Sequence, residues 1–312
     1  MKRALISGIN GFAASWLAEE LLRREWEVFG TIRPRSNKEN IKHIWDRIGT
    51  FWCEITDPFS VKETIKRVNP DAIFHLAAQS FVPLSWKAPQ LTFDVNVGGT
   101  INVLEAVREL GISPTILITS SSQVYGNAKP PFSLDTLPSP INPYDVSKLA
   151  QEQIGLAYFK SYGLRVRITR SFNITGPRRQ EFMAESSFAK QVAEIEKGKK
   201  EEITVGNLEA TRDFVDVRDV VSGYVDVIEK GEDGETYILA SGRETKMATI
   251  LDLLIGYARS PIRIIQDPNL MRPNDTPRMA ADTSSAKKIG WKASIPLEQS
   301  LLDLLNFWRE RI

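Results

Sequence analysis

Cysteine, histidine and long apolar runs are what this chain of 312 residues lacks. Its one cysteine, Cys53, excludes an internal disulfide, and with only His43 and His75 beside it a thiolate or imidazole metal cage has no ligands to draw on, so no metal is expected. No apolar stretch is long enough to cross a bilayer. The chain opens directly on the strand-like A-L-I-S of residues 4–7 without a signal-peptide core, and a soluble protein of the reducing cytoplasm is expected. An excess of either charge is also missing: 40 basic against 39 acidic residues give a formal net charge of +1, which supplies no global attraction to nucleic acid or an anionic membrane. The lysine-rich stretch 197–200 reads as a solvated helix end.

What is present is an alternation of short apolar runs and amphipathic stretches. Strands are expected at 3–7, 27–32, 50–53, 72–76, 115–120 and 165–170, with helices at 12–24, 58–68, 90–110 and 144–162. That order predicts an α/β fold, a doubly wound Rossmann-type parallel sheet, over residues 1–172. Beyond Asn173 the pattern is less regular: helices at 187–197, 217–229, 247–257 and 297–310, with a turn at 206–207. Residues 173–312 are expected to form a smaller substrate-binding lobe, interleaved with the first domain because no repeat or flexible linker separates them.

The glycine pattern Gly8-Ile9-Asn10-Gly11-Phe12-Ala13-Ala14 follows a strand and opens a helix. In that context Gly8 permits a tight turn, Gly11 lets the backbone approach a pyrophosphate, and Ala14 lets the helix lie close to the sheet. After the second strand, where a carboxylate would select NAD through its adenosine ribose, stand Arg33, Arg35 and Ser36. Guanidiniums grip a 2′-phosphate through charge-assisted bonds, so NADP(H) is preferred over NAD(H); a basic surface loop is the alternative. In the stretch Y-D-V-S-K, Tyr144 and Lys148 stand at i and i+4 on one helix face. An ammonium beside a phenol favours the phenolate and brings a weak acid into catalytic range, although this spacing also recurs on ordinary solvated helices.

Taken together, the glycine motif, His75-Leu76-Ala77-Ala78-Gln79, Ser120-Ser121-Ser122-Gln123-Val124-Tyr125-Gly126, Y-D-V-S-K and Arg170-Ser171-Phe172-Asn173 resemble the extended short-chain dehydrogenase/reductases that act on nucleotide sugars. The likeness runs end to end. The stretch from Val205 to Phe214, Arg272-Pro273-Asn274-Asp275 and Gly290-Trp291-Lys292 narrow it to the branch of GDP-mannose 4,6-dehydratase and GDP-4-keto-6-deoxymannose reductase. The resemblance implies a triad in which Tyr144 exchanges a proton with the C4 oxygen, Ser121 bonds the same oxygen, and Lys148 holds the nicotinamide ribose and lowers the tyrosine pKa. It assigns Leu76, Ala77 and Ala78, with Glu54 and Ile55, to the cofactor, Glu54 replacing the usual aspartate. It assigns Gln79, Ser122, Gln123, Asn173, Arg212, Arg272 and Asp275 to a GDP-linked sugar, and implies a homodimer formed through the helices at 90–110 and 144–162.

One departure discriminates among the branch's activities. Its dehydratases carry a glutamate that removes the C5 proton, and this chain has Gln123 there. A neutral amide is no general base. Expected instead is NADPH-dependent reduction at C4 of a nucleotide 4-keto-6-deoxy sugar, GDP-4-dehydro-6-deoxy-D-mannose first among candidates. A 4-epimerase with tightly held NAD(P) is the alternative, with a non-catalytic nucleotide sensor behind it.

Overall fold

The computed structural model describes residues 1–271 and 276–312, and Arg272 and Asp275 lie outside the described residues. β1 (Arg3–Ser7) is apolar and buried from Ala4 onward, as a strand covered on both faces must be. A turn at Gly8, whose φ of 71° suits only glycine comfortably, leads into α1 (Phe12–Arg23). There follow β2 (Glu27–Ile32), a 3₁₀ segment (Glu39–Arg47), β3 (Gly49–Trp52), α2 (Pro58–Val68) and β4 (Ala72–His75). α3 (Val82–Lys87), α4 (Pro89–Phe93) and α5 (Gly99–Leu110) precede β5 (Thr115–Ser121), α6 (Pro143–Tyr162) and β6 (Val166–Ser171).

The remainder comprises β7 (Asn173–Thr175), α7 (Ala184–Glu196), β8 (Glu202–Val205), β9 (Thr211–Asp216), α8 (Val217–Lys230) and β10 (Thr236–Leu239). It closes with β11 (Glu244–Lys246), α9 (Met247–Gly256), β12 (Arg263–Gln266), α10 (Ser284–Lys287) and α11 (Leu297–Arg309).

The sheet has seven parallel strands in the order β10-β6-β5-β4-β1-β2-β3. Its order reverses between β1 and β4, and such a switch point opens a crevice beyond the carboxyl ends of the strands. Two apolar cores flank it: one joins α1 and α8 through residues such as Leu17, Leu21, Val221 and Tyr224, the other joins α2 and α5 through Val61, Ile65, Val103 and Val107. A third core, with Phe188, Val192, Leu251 and Leu304, unites α7, α9 and α11 over the small sheets β11-β9-β7 and β12-β8.

Two departures from the sequence reading bear on the site. The helix expected at 90–110 is interrupted by a π turn (Asp94–Gly98) in which buried Asn96 turns inward, its Nδ2 donating to Gln79 O at 3.1 Å and to Ser147 Oγ at 2.9 Å. Single π turns inside helices often occur where a side chain is diverted to such work. Strands β7 to β12, and α3, were not anticipated, because most of these short runs mix polar or charged residues with apolar ones and neither period stands out.

Candidate active site

Between the strand ends and the α7 lobe runs one cleft of about 1260 Å³. α6 sets its chemical centre. Asn142 caps the helix by accepting from Asp145 N at 3.0 Å, while Asp145 Oδ2 accepts from Asn142 Nδ2 at 2.7 Å, a reciprocal box with Pro143 in the first turn. This fixes Tyr144 at the helix mouth and Lys148 one turn deeper, both buried and both lining the cleft. Ser121, at the end of β5, lies close enough to the Tyr144 phenol to favour its ionised form and accepts from Gln123 N at 3.2 Å. The sequence triad is therefore assembled in space. Gly126, with φ of 47° and a Cβ position only 1.8 Å from Ser139 O, closes the turn that carries Ser122 and Gln123.

Burial pushes the Tyr144 phenol up to about 12, against the Ser121 hydroxyl and the Arg179 charge, which pull it down. The lowering by Lys148 that the motif suggested is not what dominates here. The Lys148 ammonium, pushed down to about 8 by burial and held up by Glu152, donates to Thr119 O at 2.6 Å and to Gln151 Oε1 at 2.8 Å. Glu152 itself forms a buried two-pronged pair with Arg170, whose Nη1 donates to Tyr125 Oη at 3.0 Å. Tyr144 is thus held protonated at neutral pH, the state of an acid rather than a base.

The cofactor side fits a dinucleotide. Gly11 stands at the N-cap of α1 without a side-chain cap bond, leaving the helix mouth open to an anion, and Gly8, Asn10 and Phe12 line the cleft around it. A Cβ on Gly8 would lie 3.4 Å from the Cα of Ala77. Leu76, Ala77 and Ala78 form the facing wall, with Glu54 and Ile55 at the far end. Ser120 Oγ and Asn173 Oδ1 are buried in the cleft wall with no hydrogen-bond partner, as acceptors or donors awaiting a ligand would be. Arg33 and Ser36 also line the cleft; Arg35, paired with them in the sequence, is exposed outside it in a left-handed conformation (φ 62°).

On the substrate side Ser122, Gln123, Asn173 and Arg212 line the cleft, with Arg212 Nη1 donating to Thr211 O at 2.8 Å and to Thr276 O at 2.7 Å. Gln79 also lines it, but its side chain is engaged in structure: Nε2 donates to Thr92 Oγ1 at 2.9 Å and Oε1 accepts from Phe81 N. Sequence reasoning missed three contributors: the apolar wall of α3 with Val82, Leu84 and Trp86; Phe182, whose ring centroid lies 4.6 Å from that of Phe81; and Arg179. Arg179 donates through Nε to Glu185 Oε1 at 3.1 Å and lies over the Phe12 ring. The G-P-R-R stretch at 176–179 was the signal available for it. Among the described residues no group of three potential metal ligands occurs, and no helix is long and apolar enough to cross a membrane.

The family described as GDP-mannose 4,6 dehydratase matches residues 5–304. GDP-6-deoxy-D-mannose reductase of Pseudomonas aeruginosa is 33% identical over all of this chain and 98% of its own length. GDP-mannose 4,6 dehydratase 2 of Arabidopsis thaliana is 31% identical, covering 96% of this chain and 84% of that protein. Among solved structures, RMD from Pseudomonas aeruginosa complexed with NADPH superposes with a TM-score of 0.88 at 31% identity, over 100% of both chains. The UDP-glucose 4-epimerase of Thermus thermophilus in complex with NAD gives 0.89 at 25% identity, over 99% of this chain and 100% of that one.

Proposed function

Because the chain belongs to the GDP-mannose 4,6-dehydratase family of extended short-chain dehydrogenase/reductases, we propose that it is an NADPH-dependent 4-reductase of a GDP-linked 4-keto-6-deoxy sugar, GDP-4-dehydro-6-deoxy-D-mannose. The observation that carries the reading is the missing base. By the resemblance Gln123 stands where the branch's dehydratases carry a glutamate, and the described carboxylates on the cleft are Glu54, at the cofactor end, and Glu185, held by Arg179. Elimination of water needs a group to take the C5 proton; reduction at C4 does not.

NADPH, when bound, supplies the hydride for C4. Tyr144, kept protonated by its burial, donates the proton to the C4 oxygen, so that hydride and proton together convert the ketone to an alcohol. Ser121 holds the same oxygen, and Lys148 presents its ammonium to the nicotinamide ribose. Arg33 and Ser36 would take the 2′-phosphate, Gly8 to Phe12 the pyrophosphate, and Asn173 and Arg212 the nucleotide sugar. We assign residues 1–172 to the cofactor domain and 173–312 mainly to the sugar-binding lobe, and we propose a cytoplasmic homodimer paired through α4, α5 and α6. The exposed side chains of Leu91, Val146 and Tyr162 support that pairing.

The test is incubation of the protein with NADPH and GDP-4-dehydro-6-deoxy-D-mannose. Stoichiometric oxidation of NADPH with a product two hydrogens heavier is expected. Interconversion of a nucleotide sugar without net consumption of NADPH would identify an epimerase instead.

A further inference from the structure

Gln151 lies one turn beyond Lys148 on α6, has 1% of its surface exposed, and bonds the lysine ammonium through Oε1 at 2.8 Å. Its other end donates from Nε2 to Thr100 Oγ1 at 2.6 Å. Thr100 Oγ1 in turn lies 3.1 Å from His75 Nε2, and His75 Nδ1 lies 2.9 Å from Ser7 Oγ, which accepts from the backbone N–H groups of Leu76 and Ala77 at 2.9 Å each. All four side chains are buried.

The directions of these bonds are determined. Thr100 donates its proton to Asn96 O at 2.7 Å, so its oxygen can only accept from Gln151 and from His75, which fixes a neutral His75 carrying its proton on Nε2. Ser7, already accepting two N–H bonds, gives its own proton to His75 Nδ1. The chain therefore ends at a backbone carbonyl and passes through an amide, and neither relays a proton. It is a brace. An ammonium has three N–H donors, and Thr119 O and Gln151 Oε1 fix two of them, which determines the direction of the third.

We propose that Gln151, anchored by Thr100 and His75, is a positioning residue that aims the Lys148 ammonium into the cofactor cleft and keeps it charged there. The inference rests on the role given to Lys148 above. Two acceptors also offset the burial of the ammonium, the condition under which a buried charge is tolerated. The other groups bearing on Lys148 are Tyr144 and Glu152 on its own helix, Arg170 on β6 paired with Glu152, and neutral His75 from β4.

The experiment uses the full chain and needs no sugar substrate. Gln151→Leu, Gln151→Glu and Thr100→Val are compared with wild type in two measurements: NADPH affinity by fluorescence titration, and the Lys148 titration followed by NMR of side-chain-labelled lysine in the absence of cofactor. Gln151→Leu should weaken NADPH binding about tenfold, the worth of one misdirected charge-assisted bond, and Lys148 should titrate at lower pH. Gln151→Glu should move that titration to higher pH, because a carboxylate favours the ammonium. Thr100→Val should act in the direction of Gln151→Leu, more weakly. If Gln151→Leu does not fold, the opposite shifts of the other two still decide. Unchanged titration and NADPH affinity within about twofold of wild type in the folded variants would overturn the proposal, reducing Gln151 to a packing residue. Failure of wild type to reduce the keto sugar would instead sink the reductase reading and leave these measurements intact.

Discussion

Gln123 Nε2 lies 3.8 Å from the sulfur of Met279, so the amide in the turn after β5 is held against a thioether. Nothing in that environment could make it a base. Wild-type protein given GDP-mannose and NADP⁺ is expected to form no 4-keto-6-deoxy product, and mass spectrometry for loss of water checks it. Rapid dehydration would overturn the reductase reading and require another group to take the C5 proton. Gln123→Glu is a weaker probe, since a new carboxylate works only where its surroundings fix its geometry and pKa.

Tyr144→Phe should bind NADPH as wild type does and lose at least about 10²-fold in turnover, the usual loss on removing a proton-transfer group. The substitution removes one oxygen and keeps the ring, so little packing changes. Turnover near the wild-type rate would remove Tyr144 from the mechanism.

The pH dependence of reduction should have one limb, on the alkaline side of neutrality. Tyr144, pushed up to about 12, stays protonated, whereas the Lys148 ammonium, pushed down to about 8, is lost as pH rises through that value. The reduction rate should therefore be flat near neutrality and fall above it. A rate that climbs through the same range would mean that the phenolate, not the phenol, is the working form.

Cofactor choice separates the two arginines that the sequence treated alike. Arg33 lines the cleft and Arg35 does not. Arg33→Ala should weaken NADPH about tenfold or more relative to NADH, because only NADPH offers the 2′-phosphate, and Arg35→Ala should change the ratio less. Equal losses for both cofactors in a titration of Arg33→Ala would show that it does not read the phosphate.

These residues also mark how far the sequence could be read. The strand-turn-helix at Gly8 and the pair Tyr144 and Lys148 were legible because periodicity and local spacing encode them, and the sheet followed from six apolar runs with helices between. Ser121 and Gln123 were singled out through resemblance, and the fold places both on the cleft. The support beneath Lys148 was not: Thr100, Gln151 and His75 meet only because β4, α5 and α6 pack together, and no local pattern marks a polar side chain as a brace. The bonds between Asn96 and the Gln79 backbone depend likewise on a π turn that helical periodicity does not announce. Arg179 was hidden for the opposite reason, since a basic pair in a loop looks like any solvated surface until the fold lays it over Phe12.

The last prediction concerns stability. Burial, and secondarily the charge of Lys148, push His75 down to about 3 from the model-peptide range near 6.5. Folded chains therefore leave His75 neutral while unfolded chains bind a proton below about pH 6.5, so this group contributes stability at neutral pH that is lost as pH falls toward 3, by at most about 1.4 kcal/mol per pH unit. Asp145 and Asp213, raised by burial to about 6, act in the opposite sense, since the folded state holds their protons more tightly between their unfolded value near 3.8 and 6. The net curve mixes these effects, and His75→Gln separates them. The variant should be less stable than wild type at neutral pH, through the broken contacts to Ser7 and Thr100, and the gap should narrow as pH falls below about 6.5. Urea unfolding at a series of pH values measures it, with the slope against urea required to stay constant. A gap that stays the same down the acid limb would mean that His75 takes up its proton equally in folded and unfolded chains, and the neutral tautomer that anchors the brace would have to be abandoned.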